Sequence, residues 1–483
     1  MHLTPWRHRQ ALVLALIGLG FAARGGAQPL VVTTIAAGTS AEFSFELSGI
    51  AVDSAGDIFV ADTANQVIKE IPVGGVVQLF AGTLDKYGSA DGVTGVGKFN
   101  NPVGLAIDSA GNLYVADEIN STIRKITPAG IMSTIAGVTG ATGNVDGPAA
   151  TATFGEAKGL AIDAAGNVYI ADSGNHSVRK ISPAGVVSTV VKITNGYGWL
   201  NGICVDPSGN LYVSDGLPDT SIGPVTGGQV IYKISPSGVL TIFAGQLGVA
   251  GASDGAATAA QFNGPWGVAA DGAGNIYVAD ANNSTIRLIT PSGTVATVAG
   301  SASSLANLVD GAGGAAIFNH PSGIAVDKFG LVLIVDSFNN AVRRGIRSTN
   351  TQSPVRFLNL SSMGNVGSPL PLSSGFIVGG TASQTVLIRA VGPTLKQFGV
   401  AQPLAGPQLD LYGPGGVHLA TTANGVNAVN IQSAASMIGA FPIFPSLGDA
   451  GMVVSLGPGA YTAQITGPSG NAGAALLEVY EIP

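Results

Sequence analysis

Between Gly104 and Gly137 the chain reads GLAIDSAGNLYVADEINSTIRKITPAGIMSTIAG, four short apolar runs separated by turn residues. The runs cover 105–108, 113–115, 122–126 and 132–135, and Gly, Pro, Asn and Asp fill the gaps. Short β-branched and aromatic runs bounded by such residues predict strands joined by hairpins, because the punctuating residues supply the backbone angles of turns. The first two runs are almost wholly apolar, so both of their faces are expected to be buried. The third carries Arg124 and Lys125 and is expected nearer solvent. One copy of the pattern thus predicts one four-stranded antiparallel sheet, graded from buried to exposed.

The pattern recurs. Gly159 opens GLAIDAAGNVYIADSGNHSVRKISPAGVVSTV and Gly267 opens GVAADGAGNIYVADANNSTIRLITPSGTVATVAG, with weaker copies from Gly49, Gly202 and Gly323. Asp53, Asp108, Asp163, Asp206, Asp271 and Asp327 mark the first turn of each copy, at spacings of 55, 55, 43, 65 and 56 residues. A sheet of this kind cannot bury both faces alone. Radial repetition solves that problem, so six copies predict a six-bladed β-propeller. The last copy has only three runs (324–327, 332–336 and 341–346), while residues 32–37, VTTIAA, resemble 133–137. An N-terminal strand completing the last blade would close the ring and remove its exposed edges.

The succession GIAVD, GNLYVAD, N-x-x-IRKI resembles the NHL repeat, as does the DG-x-x-x-x-A-x-F-N-x-P-x-G approach at 254–267 and 310–323. The resemblance covers about 30–347 and implies an NHL β-propeller of the exported bacterial type. It implies little about function, since propellers of that family include RNA binders, protein scaffolds, sensor domains and a lyase.

Residues 1–27 have a basic start (Arg7, His8, Arg9), an apolar stretch at 11–23 and small residues before Gln28, the three parts of a secretory signal peptide. The apolar stretch is short for the ~20 residues of a spanning helix. Domains are therefore expected at 1–27 (signal peptide), 28–348 (propeller), 349–354 (linker TNTQSP) and 355–483. In the last, runs at 385–390, 408–412, 452–456, 460–465 and 474–480 between Gly-Pro turns predict a β-sandwich. Residues 429–444 are read as a short helix or a loop. The segments LIRAVGPTLKQFGV and LGPGAYTAQITGPSGNAGAALLEVYEI resemble C-terminal modules of secreted bacterial proteins.

Mean hydropathy is +0.40, yet no later segment is long and apolar enough to span a bilayer as a helix. Cys204 is the only cysteine and replaces an alanine-like strand position, so it reads as a small hydrophobe. The net charge is −7, and loss of Arg7, Arg9 and Arg24 with residues 1–27 leaves 18 basic against 28 acidic residues, or −10.

The long links between copies and the AD-x-x-N links emerge on one face, because strands alternate direction. Insertions concentrate there, at 83–101, 138–158, 216–228, 246–265 and 301–321, which makes that face the candidate binding site. The alternative is that these links only cover the joints between blades. The Asp/Asn pairs of the AD-x-x-N links (Asp117/Asn120, Asp172/Asn175, Asp280/Asn283, Asp336/Asn340) suggest either a ring of carboxylates for a cation or turns fixed by Asx side chains. Recurrence in every blade favours the turn reading, and the six first-turn Asp residues are assigned the same structural role. D-x-x-G-N lacks the ligand series of a calcium loop. After the leader, only His176, His320 and His418 remain, too few for the three ligands of a catalytic zinc in the propeller. No cofactor is expected, with a divalent cation left as the one open option. Asp62, Asp91, Asp117, Glu118, Asp146, Asp172, Asp254, Asp280, Asp310 and Asp336 outnumber Lys86, Lys98, Lys158 and Lys192 on the candidate face, a field that disfavours nucleic acid. The basic residues of the third runs, Arg124, Lys125, Arg179, Lys180, Arg343 and Arg344, are expected to solvate the outer ring.

Aromatic residues on that face are the sharper candidates. Tyr87, Tyr197, Trp199 and Trp266, with His320 at a blade entry and His176 in an AD-x-x-N turn, could stack on a sugar or anchor a peptide. Trp199 and Trp266 could equally plug joints. The expected function is a monomeric, non-catalytic binding or scaffold protein for a protein, peptide or glycan, exported to the periplasm, cell surface or medium. The alternatives are a divalent-cation-dependent lactonase, lyase or hydrolase using channel carboxylates, and a structural cell-surface component.

Overall fold

The computed structural model describes residues 28–37, 43, 46–73, 76–194, 198–216, 228–302 and 308–347, and in the C-terminal part 360–366, 371–378, 383–398, 400–413, 416–423, 431, 448–457, 459–468 and 472–482. The elements described are antiparallel β-strands and short 3-10 turns, so the chain is all-β.

Six sheets follow one another up to residue 347. Each runs outward in chain order from its innermost strand through at least three strands, and in the third, fifth and sixth a two-residue strand from the preceding link (Gly147–Pro148, Gly255–Ala256 and Gly311–Ala312) forms the outer edge. The second, for example, comprises Pro102–Ile107, Leu113–Asp117, Thr122–Ile126 and Met132–Ala136. Besides the two-residue Gly311–Ala312, the sixth supplies only Pro321–Val326, Val332–Asp336 and Ala341–Arg347 from its own stretch of chain. Its next strand is Leu30–Ala37, paired antiparallel to Ala341–Arg347 with Val32 opposite Gly345 and Thr34 opposite Arg343.

A ring of close approaches holds the innermost strands together. Gly49, Gly104, Gly159, Gly202, Gly267 and Gly323 occupy one repeat position, and each abuts the backbone of the next innermost strand. A Cβ on Gly104 would sit 1.9 Å from the Lys158 carbonyl oxygen, and one on Gly323 would sit 2.3 Å from that of Ser48. The Gly323–Ser48 contact joins the sixth sheet to the first. Only a residue without Cβ fits at such a distance. Apolar layers fill the joints between sheets: Ile123 of the second sheet packs with Leu160 and Ile170 of the third, and Leu47 and Val60 of the first pack with Leu333 and Val342 of the sixth.

The first-turn aspartates fix their own turns. Asp108 Oδ1 accepts the backbone N–H groups of Ala110 (3.0 Å) and Asn112 (2.8 Å), and Oδ2 accepts the Tyr114 hydroxyl. Asp53, Asp163, Asp206, Asp271 and Asp327 make the equivalent backbone contacts.

The third strands do not lie near solvent as their charge suggested. Arg124, Arg179, Arg287 and Arg343 are fully buried. Arg124 Nη1 donates to Asp117 Oδ2 (2.7 Å) and to the Lys98 carbonyl, while Nη2 donates to Asp91 Oδ1 (2.7 Å) and the Ala90 carbonyl. Its guanidinium lies over the buried Phe99 ring. The same clamp joins Arg179 to Asp172 and Asp146, Arg287 to Asp280 and Asp254, and Arg343 to Asp336 and Asp310. A planar five-donor group can cross-link two carboxylates and two carbonyls at once, which explains burial of so polar a residue. Of the expected solvating residues, Lys125 and Lys180 are half-buried beside their fully buried arginine neighbours.

The C-terminal part forms two four-stranded sheets. One orders Leu360–Val366, Gly473–Ile482, Gln384–Val391 and Ala450–Leu456. The other orders Leu372–Val378, Gly459–Thr466, Gln408–Tyr412 and His418–Ala423. Ile388 and Leu477 of the first share a core with Leu409 and Ile465 of the second. Of residues 429–444, all but Ile431 lie outside the described residues.

Candidate functional site

The innermost strands surround an axial cavity of about 480 Å³. Two repeat positions line it. The residue before each ring glycine supplies Ser48, Val103, Lys158, Asn201, Trp266 and Ser322. Two residues earlier the chain supplies Glu46, Asn101, Trp199 and His320. The links that follow the second strands add Thr63, Glu118, Ser337 and Phe338. The cavity therefore opens on the face to which those links belong.

One wall is aromatic. The His320 ring stacks on Phe338 at 4.6 Å and 11° and meets Trp266 edge-on at 6.1 Å. Trp199 keeps 39% of its surface exposed and Phe338 43%, so neither is a sealed plug. His320 holds this place in a left-handed backbone, φ 57°, where the fifth sheet has Gly264 and the second has Asn101. For a histidine that conformation costs about 1–3 kcal/mol. Burial lowers the His320 pKa below its ordinary value, so the ring is neutral at pH 7.

Charged residues adjoin this wall. Lys158 is only 8% exposed. Its Nζ lies 4.0 Å from the Trp199 ring centroid, 5.7 Å from that of Trp266 and 3.8 Å from Glu118 Oε1. Glu118 Oε2 accepts from Asn101 Nδ2, and Asn101 is itself pinned by its backbone N–H on Gln66 Oε1 (2.6 Å). Burial lowers the Lys158 pKa and raises that of Glu118, and the mutual attraction of the pair opposes both shifts.

Trp199, Trp266 and His320 thus meet on one cavity. His176 does not join them: it caps the 3-10 turn Ser173–Asn175 in a left-handed backbone. Tyr87 sits in the link ahead of the second sheet, paired with Phe99 and 76% exposed. Tyr197 lies outside the described residues. The long links are themselves taken up by the arginine clamps, through Asp91, Asp146, Asp254 and Asp310 and the buried Phe99, Phe154, Phe262 and Phe318. Asp62, Asp117, Asp172, Asp280 and Asp336 are fully buried, so they contribute no surface field of the kind their count suggested. Asp117 accepts the Asn100 backbone N–H and the Asn120 side chain besides Arg124. No group of three or more His, Cys, Asp or Glu side chains placed to hold a metal occurs among the described residues. Cys204 is buried, and burial pushes its thiol up. In the C-terminal part, His418 Nε2 meets both Asp410 Oδ1 (3.2 Å) and Thr421 Oγ1 (2.8 Å), whereas a proton relay needs both ring nitrogens.

Lys158, Glu118, Asn101, Asn201 and Phe338 escaped the reading of the sequence as site residues. Their signal is variation inside a fixed frame. The positions one and three before the ring glycine change from Ser to Val, Lys, Asn or Trp and from Glu to Asn, Trp or His, while the glycine stays.

A family model described as NHL repeat matches residues 99–126, 154–181 and 262–287. NHL repeat-containing protein 2 of Gallus gallus is 33% identical over 149 residues, which is 29% of this chain and 20% of that protein. Protein SUPPRESSOR OF QUENCHING 1, chloroplastic, of Arabidopsis thaliana is 31% identical over 134 residues, 26% of this chain and 13% of that protein. The chain thus spans a fifth or less of the length of these curated relatives. Among solved structures, a protein of unknown function from Bacteroides thetaiotaomicron VPI-5482 is 20% identical with a TM-score of 0.52, covering 66% of this chain and 76% of its own. An auxiliary nutrient binding protein from Bacteroides ovatus ATCC 8483 is 19% identical with a TM-score of 0.50, covering 67% and 78%. The repeats matched, the sheets and these neighbours agree: the chain is all-β, carries NHL repeats and shares a propeller-like fold.

Proposed function

We propose that this protein binds a small, ring-bearing ligand of the glycan class in its axial cavity and does so outside the cytoplasm. The observation that carries the reading is the pairing of an aromatic wall (Trp199, Trp266, His320, Phe338) with a polar one (Asn101, Glu118, Lys158, Asn201) around one opening. A sugar offers both faces such a site needs: a C–H face for stacking and hydroxyls for hydrogen bonds. The cavity volume falls within the ~300–1,000 Å³ range of small-molecule sites. The rigid ring supports the reading, because walls contributed by all six sheets are pre-formed and binding orders little. Export rests on the leader-like residues 1–27, and the mass of the protein recovered from its host tests it by the presence or loss of those residues.

Calorimetry of the chain from Gln28 against a panel of mono- and oligosaccharides tests the binding reading. A saturable one-to-one signal that Trp266→Ala abolishes, with the melting temperature kept, is the expected result. Sugars that bind wild type and Trp266→Ala alike would place the site elsewhere and end it.

A further inference from the structure

One charged group on the cavity wall has no hydrogen-bond partner among the described residues. The Lys158 ammonium makes no hydrogen bond among the described residues, and its carboxylate partner, Glu118 Oε1, stands at 3.8 Å, beyond hydrogen-bond reach. It is the one lysine or arginine among the described lining residues, and more than nine-tenths of its residue surface is buried. Asn201 does not add to it: its Nδ2 donates to the Gly216 and Pro265 carbonyls at 3.4 and 3.3 Å, and its Oδ1, without a partner among the described residues, is shut off from the cavity. A charged donor held without an acceptor forgoes the hydrogen bond that would offset its desolvation. The cavity therefore offers one unfilled cationic donor beside a stacking wall.

We propose that the ligand is a carboxylated sugar of the uronic-acid class, its carboxylate on Lys158 Nζ and its ring against the aromatic wall of Trp266, His320 and Phe338. The inference rests on the reading of the cavity as a glycan site and adds the charge. A carboxylate gives Lys158 the charge-assisted hydrogen bond that Glu118 leaves unmade. One charge suits the site better than two, because Glu46 and Glu118 share the opening and would repel a phosphate more strongly. Trp199 and Trp266 already hold the ammonium against their faces, so the cation is placed before the ligand arrives and little ordering remains to be done. The second oxygen of Glu118 is held by Asn101, which keeps this carboxylate from following Lys158 and leaves room for the incoming acid.

The test is calorimetry on the chain from Gln28 with glucuronate and galacturonate, free and as short oligosaccharides, beside glucose and galactose counterparts. Wild type is expected to bind the acids at least tenfold more tightly, the least a charge-assisted hydrogen bond gives. Lys158→Met is expected to erase that preference, weakening the acids at least tenfold more than it weakens the neutral sugars. Glu118→Gln keeps Lys158 and removes a competing carboxylate, so it should bind the acids more tightly still, and it serves if Lys158→Met does not fold. Neutral sugars binding as well as the acids would overturn this inference and leave the glycan site standing. An acid preference that survives Lys158→Met, or acids weakened by Glu118→Gln, would overturn it too. No binding by any sugar would end both readings.

Discussion

Thr34, near the start of the described chain, donates its hydroxyl to Asp310 Oδ1 at 2.8 Å and its backbone N–H to Oδ2 at 3.1 Å, across 276 residues of sequence. Thr297 makes the same pair of contacts with Asp254 inside the contiguous fifth sheet, at 3.0 Å each. Asp254 and Asp310 both anchor arginine clamps, so Thr34 completes in the sixth sheet what Thr297 completes in the fifth. Thr34→Val and Thr297→Val should each lower stability by about 1 kcal/mol in denaturant titrations, the net worth of one hydrogen bond, because Arg343 and Arg287 still donate to the same Oδ1 atoms. A neutral Thr34→Val beside a costly Thr297→Val would mean that the N-terminal strand does not close the ring in solution.

The arginine clamps should be the costliest polar groups to break. Arg287→Met leaves Asp280 buried with no counter-charge, and a buried pair broken from one side typically loses about 3–5 kcal/mol. Burial pushes the Asp280 carboxyl up to about 6 even with Arg287 present, so without the arginine it should fold only in its protonated form near neutrality. The double variant Arg287→Met, Asp280→Leu should recover part of the loss, since two apolar groups need no partners. A double variant less stable than either single one would contradict this account of the clamp.

The ring and its closing strand were legible because the glycines, first-turn aspartates and STIAG-like runs recur on a fixed frame, and recurrence reports architecture. The arginine clamp was misread for a physical reason. A charged residue on an amphipathic strand normally marks the solvated face, and only the placement of Asp91 and Asp117 on either side of Arg124 shows that it is buried. Lys158 illustrates the limit at the site. In sequence it is one lysine on an acidic face. Its meaning comes from Trp199, 41 residues on, and from Glu118, 40 residues earlier, which only the ring brings together.

Gly104 ties that ring to the site. Its Cα faces the Lys158 carbonyl so closely that an alanine methyl would overlap it at 1.9 Å. Backbone must move, and overpacking of this kind costs about 1–3 kcal/mol or more. Gly104→Ala should therefore lower the melting temperature and, because the strand that moves carries Lys158, also weaken ligand binding in the variant that still folds. Gly140, which has open space around its Cα but a left-handed backbone at φ 73°, gives the contrast: Gly140→Ala should cost less and leave binding unchanged. Equal binding by both variants would show that the innermost strands tolerate separation without disturbing the cavity.

The fourth sheet breaks the clamp pattern and should respond to pH. Where the others place arginine, or Lys69 in the first, it has Tyr232, and Asp215 faces that tyrosine with no cation among the described residues. Burial pushes the Asp215 carboxyl up to about 7, against which the Tyr232 hydroxyl works by donating to it, and Asp215 Oδ1 has no hydrogen-bond partner among the described residues. The unfolded chain should titrate this group near 3.9. Between those values the folded protein holds the proton that the unfolded chain has lost, so stability should fall as pH rises from about 4 to about 7 and level off above. The loss integrates to an upper bound on the order of 4 kcal/mol. Asp215→Asn, neutral throughout, should match wild type near pH 4 and melt at higher temperature near pH 8, with the gap opening across that window. Parallel melting curves at all pH values would mean that Asp215 finds a counter-charge in solution and that the fourth sheet is no weak point of the ring.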